Sequence, residues 1–216
     1  QRQMCIRDSR QGVKWVDSQG REIGDVTADD FVAGMQHMLD CQAGLEWLVD
    51  GLIVGATEYM SGETTDFGDV GVKALDDYTL EYTLCDPTPY FMTMLSYSIF
   101  APMNRSYFLS QGGAFGIEEF AAAKESSNYK YGTSPDNIAY NGAFVVKSYT
   151  EANTIVFEAN PTYYNPDILG VHTLTWKYDD GTDNTKTYKD MVAGDITNAG
   201  LNTATMEIAK ADGLFD

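Results

Sequence analysis

Cysteine, histidine and positive charge are all scarce in this chain, and each scarcity removes a class of chemistry. Of 216 residues, three are cysteine and two are histidine. Cys5, Cys41 and Cys85 lie far apart with no C-x-x-C pair, and their odd number leaves a thiol unpaired, so neither a disulfide framework nor a zinc site is indicated. His37 and His172 stand outside any H-E-x-x-H. There is no G-x-S-x-G and no Walker loop, and Gly112-Gly113-Ala114-Phe115-Gly116 has the wrong spacing for a dinucleotide loop. Fourteen Lys and Arg face 32 Asp and Glu, a net charge of −18. Such a surface repels phosphate backbones and anionic lipid headgroups, which argues against nucleic acid as a partner. No apolar run approaches the roughly 18 residues that cross a bilayer. What remains is a chain that is 44% hydrophobic and 12% aromatic, enough for a real core in one domain or two small ones. It reads as a binder rather than an enzyme, with no cofactor.

The first residues resist assignment. Gln1 to Ser9 has no apolar stretch typical of an export signal, and Met4 to Ser9 shows neither strand nor helix period, so residues 1–9 are expected to be a non-native leader. Leu214-Phe215-Asp216 ends without a terminal element, and the chain is expected to be a piece of a longer one. Between these ends the pattern sharpens. Gly12 to Trp15 reads as a strand end before the turn Asp17 to Gly20. Thr27 suits an N-cap, with Asp29 and Asp30 at the positive end of a helix predicted over 28–39 whose stripe is Phe31, Met35, Met38 and Leu39. A shorter helical stretch is expected at 45–49. Tyr78, Leu80, Tyr82 and Leu84 alternate with polar residues, predicting a half-buried strand paired with Val72 to Leu75 across an Asp76-Asp77 turn. A short helix is expected over 90–95, another over 117–124, and a hairpin from 144–149 to 154–158 around Thr150 to Asn153. Residues 103–136 read as a crossing between structural units.

The last fifty residues suggest a topology. Val171 to Tyr178 alternates, Asp183 can cap a helix over 184–193 that Gly194 ends, and Asp195 to Ala199 reads as a strand. Strand, helix and strand with short connections predict a parallel βαβ unit. Ligands in such sheets sit beyond the carboxyl ends of strands, so Ala199, Gly200, Leu201 and Asn202 are the candidate ligand-binding residues. An ordinary turn is the equal competitor. Other candidates are weaker. Trp15, Trp47 and Trp176 are expected in the core rather than in a pocket. Asp179, Asp180 and Asp183 miss the calcium-loop spacing and are expected in turns and caps. Asp29/Asp30 and Glu118/Glu119 point in different directions along their helices and do not converge for acid–base work. His37 is expected on the helix surface and His172 packed beside Trp176.

The order of several short motifs resembles the family 5 extracytoplasmic solute-binding proteins, most of all the oligopeptide-binding branch that feeds ABC importers. The motifs are Gly12-Val13-Lys14-Trp15, Val26-Thr27-Ala28-Asp29-Asp30-Phe31-Val32, Gly71-Val72-Lys73-Ala74-Leu75-Asp76-Asp77-Tyr78-Thr79-Leu80, Pro89-Tyr90-Phe91, Asn141-Gly142-Ala143-Phe144, Asn160-Pro161-Thr162-Tyr163-Tyr164 and Ala193-Gly194-Asp195-Ile196. The resemblance spans about residues 10 to 213. It implies an α/β fold: part of the first lobe of a two-lobed, type II periplasmic-binding-protein-like architecture, a mixed sheet with flanking helices. Residues 10–103 would belong to an accessory subdomain and 104–216 to the lobe's main sheet, with the second lobe absent. It further implies a monomer outside the cytoplasm, in the periplasm or lipid-anchored at the cell surface, that takes a short peptide through main-chain contacts in an interlobe cleft and delivers it to an ABC permease. A family member for nickel, haem or a sugar remains open, as do a carboxylate-dependent hydrolase and a surface adhesion module.

Overall fold

The fold is described from a computed structural model over residues 3–214. The chain forms two compact units. The larger runs to Lys147 and includes Phe157–Leu174, and the smaller comprises Ser148–Val156 with the residues from Thr175 onward.

In the larger unit, strands β1 (Gln3–Asp8), β4 (Val72–Ala74) and β5 (Thr79–Leu84) form an antiparallel sheet in the order β1-β5-β4. The alternation of β5 does what its pattern predicts: Leu80, Tyr82 and Leu84 are buried, and Asp76 closes the preceding turn by accepting from the N–H groups of Tyr78 and Thr79 at 2.9 and 2.8 Å. Helix α1 (Ala28–Cys41) covers this face with Met35 and Leu39, while Phe31 and Met38 flank them half-buried. α1 comes close to its neighbours. A Cβ on Gly34 would lie 2.2 Å from the Ala101 carbonyl oxygen, so only glycine fits there. Thr27 and Asp30 form a capping box, in which the Asp30 carboxylate accepts from the Thr27 N–H at 2.8 Å. The same carboxylate accepts from the Trp15 indole N–H at 2.9 Å. Phe91, Phe100 and Tyr82 meet edge to face and complete the core.

Two strands flank this core. β2 (Lys14–Val16) pairs with β3 (Glu22–Asp25), and Val16 exchanges both main-chain bonds with Tyr140, at 2.7 and 2.8 Å. Short helices α2 (Ala56–Met60), α3 (Phe91–Met94), α4 (Arg105–Ser110) and α5 (Ile117–Lys124) fill the rest, and 45–49 is a single 3₁₀ turn at Glu46–Leu48. The pair β6 (Phe144–Thr150) and β7 (Thr154–Ala159) forms the expected hairpin, joined by β8 (Thr173–Lys177) in the order β6-β7-β8. β8 runs antiparallel to β7, since the Ala159 N–H donates to His172 O and the Tyr178 N–H to Asn153 O. Asn160, 2% exposed, explains its motif. Its Nδ2 donates to Gly142 O, and its Oδ1 accepts from the Thr162 N–H, which locks the connection after β7.

Several expectations fail here. Residues 3–8 do form a strand, against the absence of period in Met4 to Ser9. Strand β3 and helix α4 were not foreseen. Asp195 to Ala199 is not a strand, and every strand pair traced among the described residues is antiparallel, so the parallel βαβ unit is not formed. A strand needs a neighbour's ladder, and here the Asp195 carbonyl accepts instead from Lys177 Nζ at 2.8 Å. Trp47 and Trp176 are 67% and 62% exposed, and only Trp15 is in the core. His172, just before β8, is exposed rather than packed. His37 lies inside an aromatic cluster rather than on the surface, its ring 4.8 and 4.9 Å from those of Phe108 and Phe120.

Candidate functional site

The candidate residues lie in the smaller unit, and its local chemistry is a chain of caps. After β8, Asp179 accepts from the Gly181 N–H, Asp180 from Thr182 and Asp183 from Thr185, each two residues ahead. The turn roles expected of the three acids hold, but Asp183 does not cap the helix: the N-cap is Thr185, which makes no side-chain cap bond, and Asp183 braces the turn before it. The Thr185 hydroxyl and N–H, with Lys189, hold the Asp183 carboxyl down at about 2. Helix α6 (Lys186–Val192) follows, and Gly194, at φ +81°, takes the left-handed turn that ends it. Residues 195–201 then run without regular structure to helix α7 (Thr203–Ala211). The two helices are joined by the Tyr188 hydroxyl, which donates to Asp212 at 2.7 Å.

Asn202 is the cap of α7. Its Oδ1 accepts from the N–H groups of Ala204 and Thr205 at 2.9 and 3.0 Å, and its Nδ2 donates to Asn184 O at 2.6 Å. Its own N–H donates to the Thr205 hydroxyl at 2.8 Å. Every polar group of Asn202 is therefore engaged, and it serves to fix the loop before it. Ala199, Gly200 and Leu201 differ. Among the described residues none of their main-chain groups takes part in a hydrogen bond, and a Cβ on Gly200 would meet nothing within 4 Å. Tethered by Lys177 at one end and by the Asn202 cap at the other, these three residues present free donors and acceptors. That is the chemistry an extended peptide can pair with. The strand expected to lead into this loop does not form, and the loop is instead a link between two helices.

Two open grooves contain aromatic residues that the sequence placed in the core. One, of about 470 Å³, is lined by Tyr149, Thr150, Trp176 and Tyr178 in the smaller unit. The other, of about 630 Å³ in the larger unit, is lined by Trp47, Tyr90, Met94 and Tyr97. The alternation of β8 was the available signal for the first, since it sets Trp176 and Tyr178 on one side; the second had none. Elsewhere, burial lowers the His37 imidazole to about 4, with Lys124 adding to the effect, and raises the neighbouring Cys41 thiol to about 11. The pair, 3.3 Å apart, is thus an uncharged thiol beside an uncharged ring at neutral pH. Burial also raises the Asp40 carboxyl, which accepts from the Tyr59 hydroxyl at 2.6 Å and from the Gly116 N–H at 2.8 Å. No group of metal-ligating side chains is assembled among the described residues. No helix there is long and apolar enough to cross a membrane.

Comparison with known proteins gives a consistent answer. The sequence model of the bacterial extracellular solute-binding proteins, family 5 Middle, matches residues 10–216. The chain is 36% identical over 201 residues, 93% of its length, to the oligopeptide-binding protein AmiA of Streptococcus pneumoniae, of which it covers 28%. It is 34% identical over 170 residues, 77% of its length, to the periplasmic oligopeptide-binding protein OppA of Escherichia coli, of which it covers 27%. It thus spans little more than a quarter of these relatives. A periplasmic oligopeptide-binding protein of Borrelia burgdorferi superposes with a TM-score of 0.66 at 27% identity, over 89% of this chain and 34% of that one. Haemophilus influenzae OppA superposes at 0.77 and 22% identity, over 98% of this chain and 37% of that one, which supports the fold. The α/β architecture is that of a part of an OppA-like binding protein. The chain belongs to family 5 of the bacterial extracellular solute-binding proteins.

Proposed function

We propose that the longer protein to which this chain belongs is the extracytoplasmic substrate-binding component of an ABC importer, taking oligopeptides through main-chain contacts in an interlobe cleft. It acts as a monomeric binder, not an enzyme, and hands its peptide to a membrane permease. Residues 10–103 form part of an accessory subdomain and residues 104–216 part of the main sheet of the first lobe. The observation that carries the binding mode is the unengaged main chain from Ala199 to Leu201, in a chain 36% identical to an oligopeptide-binding protein. Contacts of this kind read the backbone and leave side-chain preference loose.

The test is calorimetry on the full-length protein with a panel of di- to pentapeptides. Leu201→Pro deletes one N–H and is expected to weaken binding about tenfold, whereas Leu201→Ala keeps the N–H and the affinity. Silence toward every peptide overturns the reading. A second reading has one specific observation behind it. The chain is also 32% identical over 157 residues to a probable deoxycholate-binding periplasmic protein of Escherichia coli. Deoxycholate therefore belongs in the panel, and a response to it alone replaces the peptide reading with a bile-salt one.

A further inference from the structure

Strand β1 fills its place with the wrong side chains. Residues directly opposite in an antiparallel pair share a face, and a one-residue shift exchanges the faces. The register sets Gln3 opposite Leu84, Cys5 opposite Tyr82 and Arg7 opposite Leu80, all three partners being buried core residues. Met4 and Ile6 lie opposite Thr83 and Glu81 and are 66% and 49% exposed. Met4 and Ile6 thus face outward, while on the core side Cys5 packs half-buried against the core and the polar Gln3 and Arg7 stay exposed. Two marks of the mismatch follow. An apolar cavity of about 190 Å³, lined by Phe31, Leu80, Tyr82, Leu95 and Phe100, sits beneath Arg7, Asp8 and Ser9. Arg7 leaves this space empty by turning its guanidinium to the Met92 sulfur, 3.0 Å from Nε. Ser9 continues the ladder, its N–H donating to Tyr78 O at 2.6 Å, yet its hydroxyl is buried with no hydrogen-bond partner among the described residues. The family match begins only at residue 10.

We infer that the β5 edge is built to receive a different strand of the full-length protein, one that enters at Arg10 with apolar side chains at the places of Arg7 and Ser9, and that residues 3–9 stand in for it. The edge dictates backbone pairing for any sequence, which explains why residues 3–8 form a strand at all. Its buried face dictates alternating apolar side chains, which residues 3–9 supply only at Cys5. A second copy is not the occupant, since its own β1 carries the same pattern. The inference does not depend on which solute the protein binds.

The test uses the whole chain. Arg7→Leu with Ser9→Leu fills the cavity from the core side and removes the orphaned hydroxyl. The melting temperature is expected to rise by about 3–8 °C, with slower amide exchange in β5. Lys73→Leu, opposite Glu81 on the outward face and away from the cavity, adds comparable apolar surface and is expected to leave both readouts unchanged. A double variant that gains no more than Lys73→Leu overturns the inference. Sequencing the native gene upstream of the Arg10 codon gives an independent outcome: alternating apolar codons leading up to that position support it, and the present residues 3–9 in the native gene overturn it.

Discussion

The two compact units differ in what holds them. In the larger one, α1, β4 and β5 enclose Met35, Leu39, Tyr82, Leu84 and Phe91, each almost wholly buried and drawn from segments up to fifty residues or more apart. In the smaller one, Tyr188, Thr205 and Ala209 are the buried residues among those described, and Trp176, Tyr178 and Val192 are more than half exposed. Local polar bonds take the place of a core there: the Asp183 turn to Thr185, the Asn202 cap to Ala204 and Thr205, and the Tyr188 hydroxyl to Asp212. The lesson is that a side chain's fate follows from what lies over its face. Trp15 and Trp176 sit on similar short strands, yet one is 2% exposed and the other 62%.

That contrast can be broken or sharpened by measurement, starting with the largest effect. Leu39→Ala, in the core of the larger unit, is expected to cost about 2–5 kcal/mol in chemical denaturation, as deletions of buried leucine methyls do. Gly34→Ala forces a Cβ toward the Ala101 carbonyl and is expected to cost about 1–3 kcal/mol, with faster amide exchange in α1. In the smaller unit Asn202→Ala removes the α7 cap and is expected to cost about 1 kcal/mol, seen as loss of exchange protection in the first turn of α7. Trp176→Ser, removing the largest exposed ring, is expected to change stability by less than about 0.5 kcal/mol. A large loss at Trp176, or none at Leu39, would erase the distinction between the units.

A pH experiment sharpens it further. The His37 imidazole is depressed from 6.5 to about 4 by burial among the rings of Phe108, Phe120 and Tyr131. Between those values the unfolded chain binds a proton that the folded chain refuses, so stability is full above about 6.5 and falls as the pH drops toward 4. Asp40, whose carboxyl is raised, titrates with the opposite sign, because the folded chain holds that proton to higher pH. His37→Leu is expected to flatten the slope between pH 6.5 and 4 in a series of denaturant melts.

How far the sequence foretold this follows the same logic. The stripe of α1 and the alternation of β5 were legible because their buried faces impose a period, while the helix at Ile117–Lys124, which buries Phe120 alone, has acids in its first turn and a lysine in its last. Strand β3 was not, since Glu22-Ile23-Gly24-Asp25 is exposed throughout and carries no alternation. Helix α4 had a signal that was passed over: Asn104 accepts from the Tyr107 N–H at 2.8 Å, an N-cap two residues after Pro102. The run Asp195 to Ala199 has a strand's local pattern but no partner, and pairing is not written in the segment itself. The loop at Ala199–Asn202 was reached through a topology that does not form. Its bounds are set instead by Gly194 and Asn202, local signals that hold whatever the sheet does.

Asp30 leads to a different kind of consequence. Its carboxylate gathers the Trp15 indole and the Thr27 amide, while its carbonyl receives the Met103 amide and its neighbour Asp29 the Arg105 guanidinium. A polypeptide emerging from the ribosome can close the Thr27 box and the Trp15 bond as soon as the helix begins, whereas the Met103 and Arg105 bonds wait until some seventy further residues have been translated. Pausing before that point would leave the nascent helix capped but not yet tethered to the rest of its unit, a tie that arrives with the segment from Met103 to Arg105.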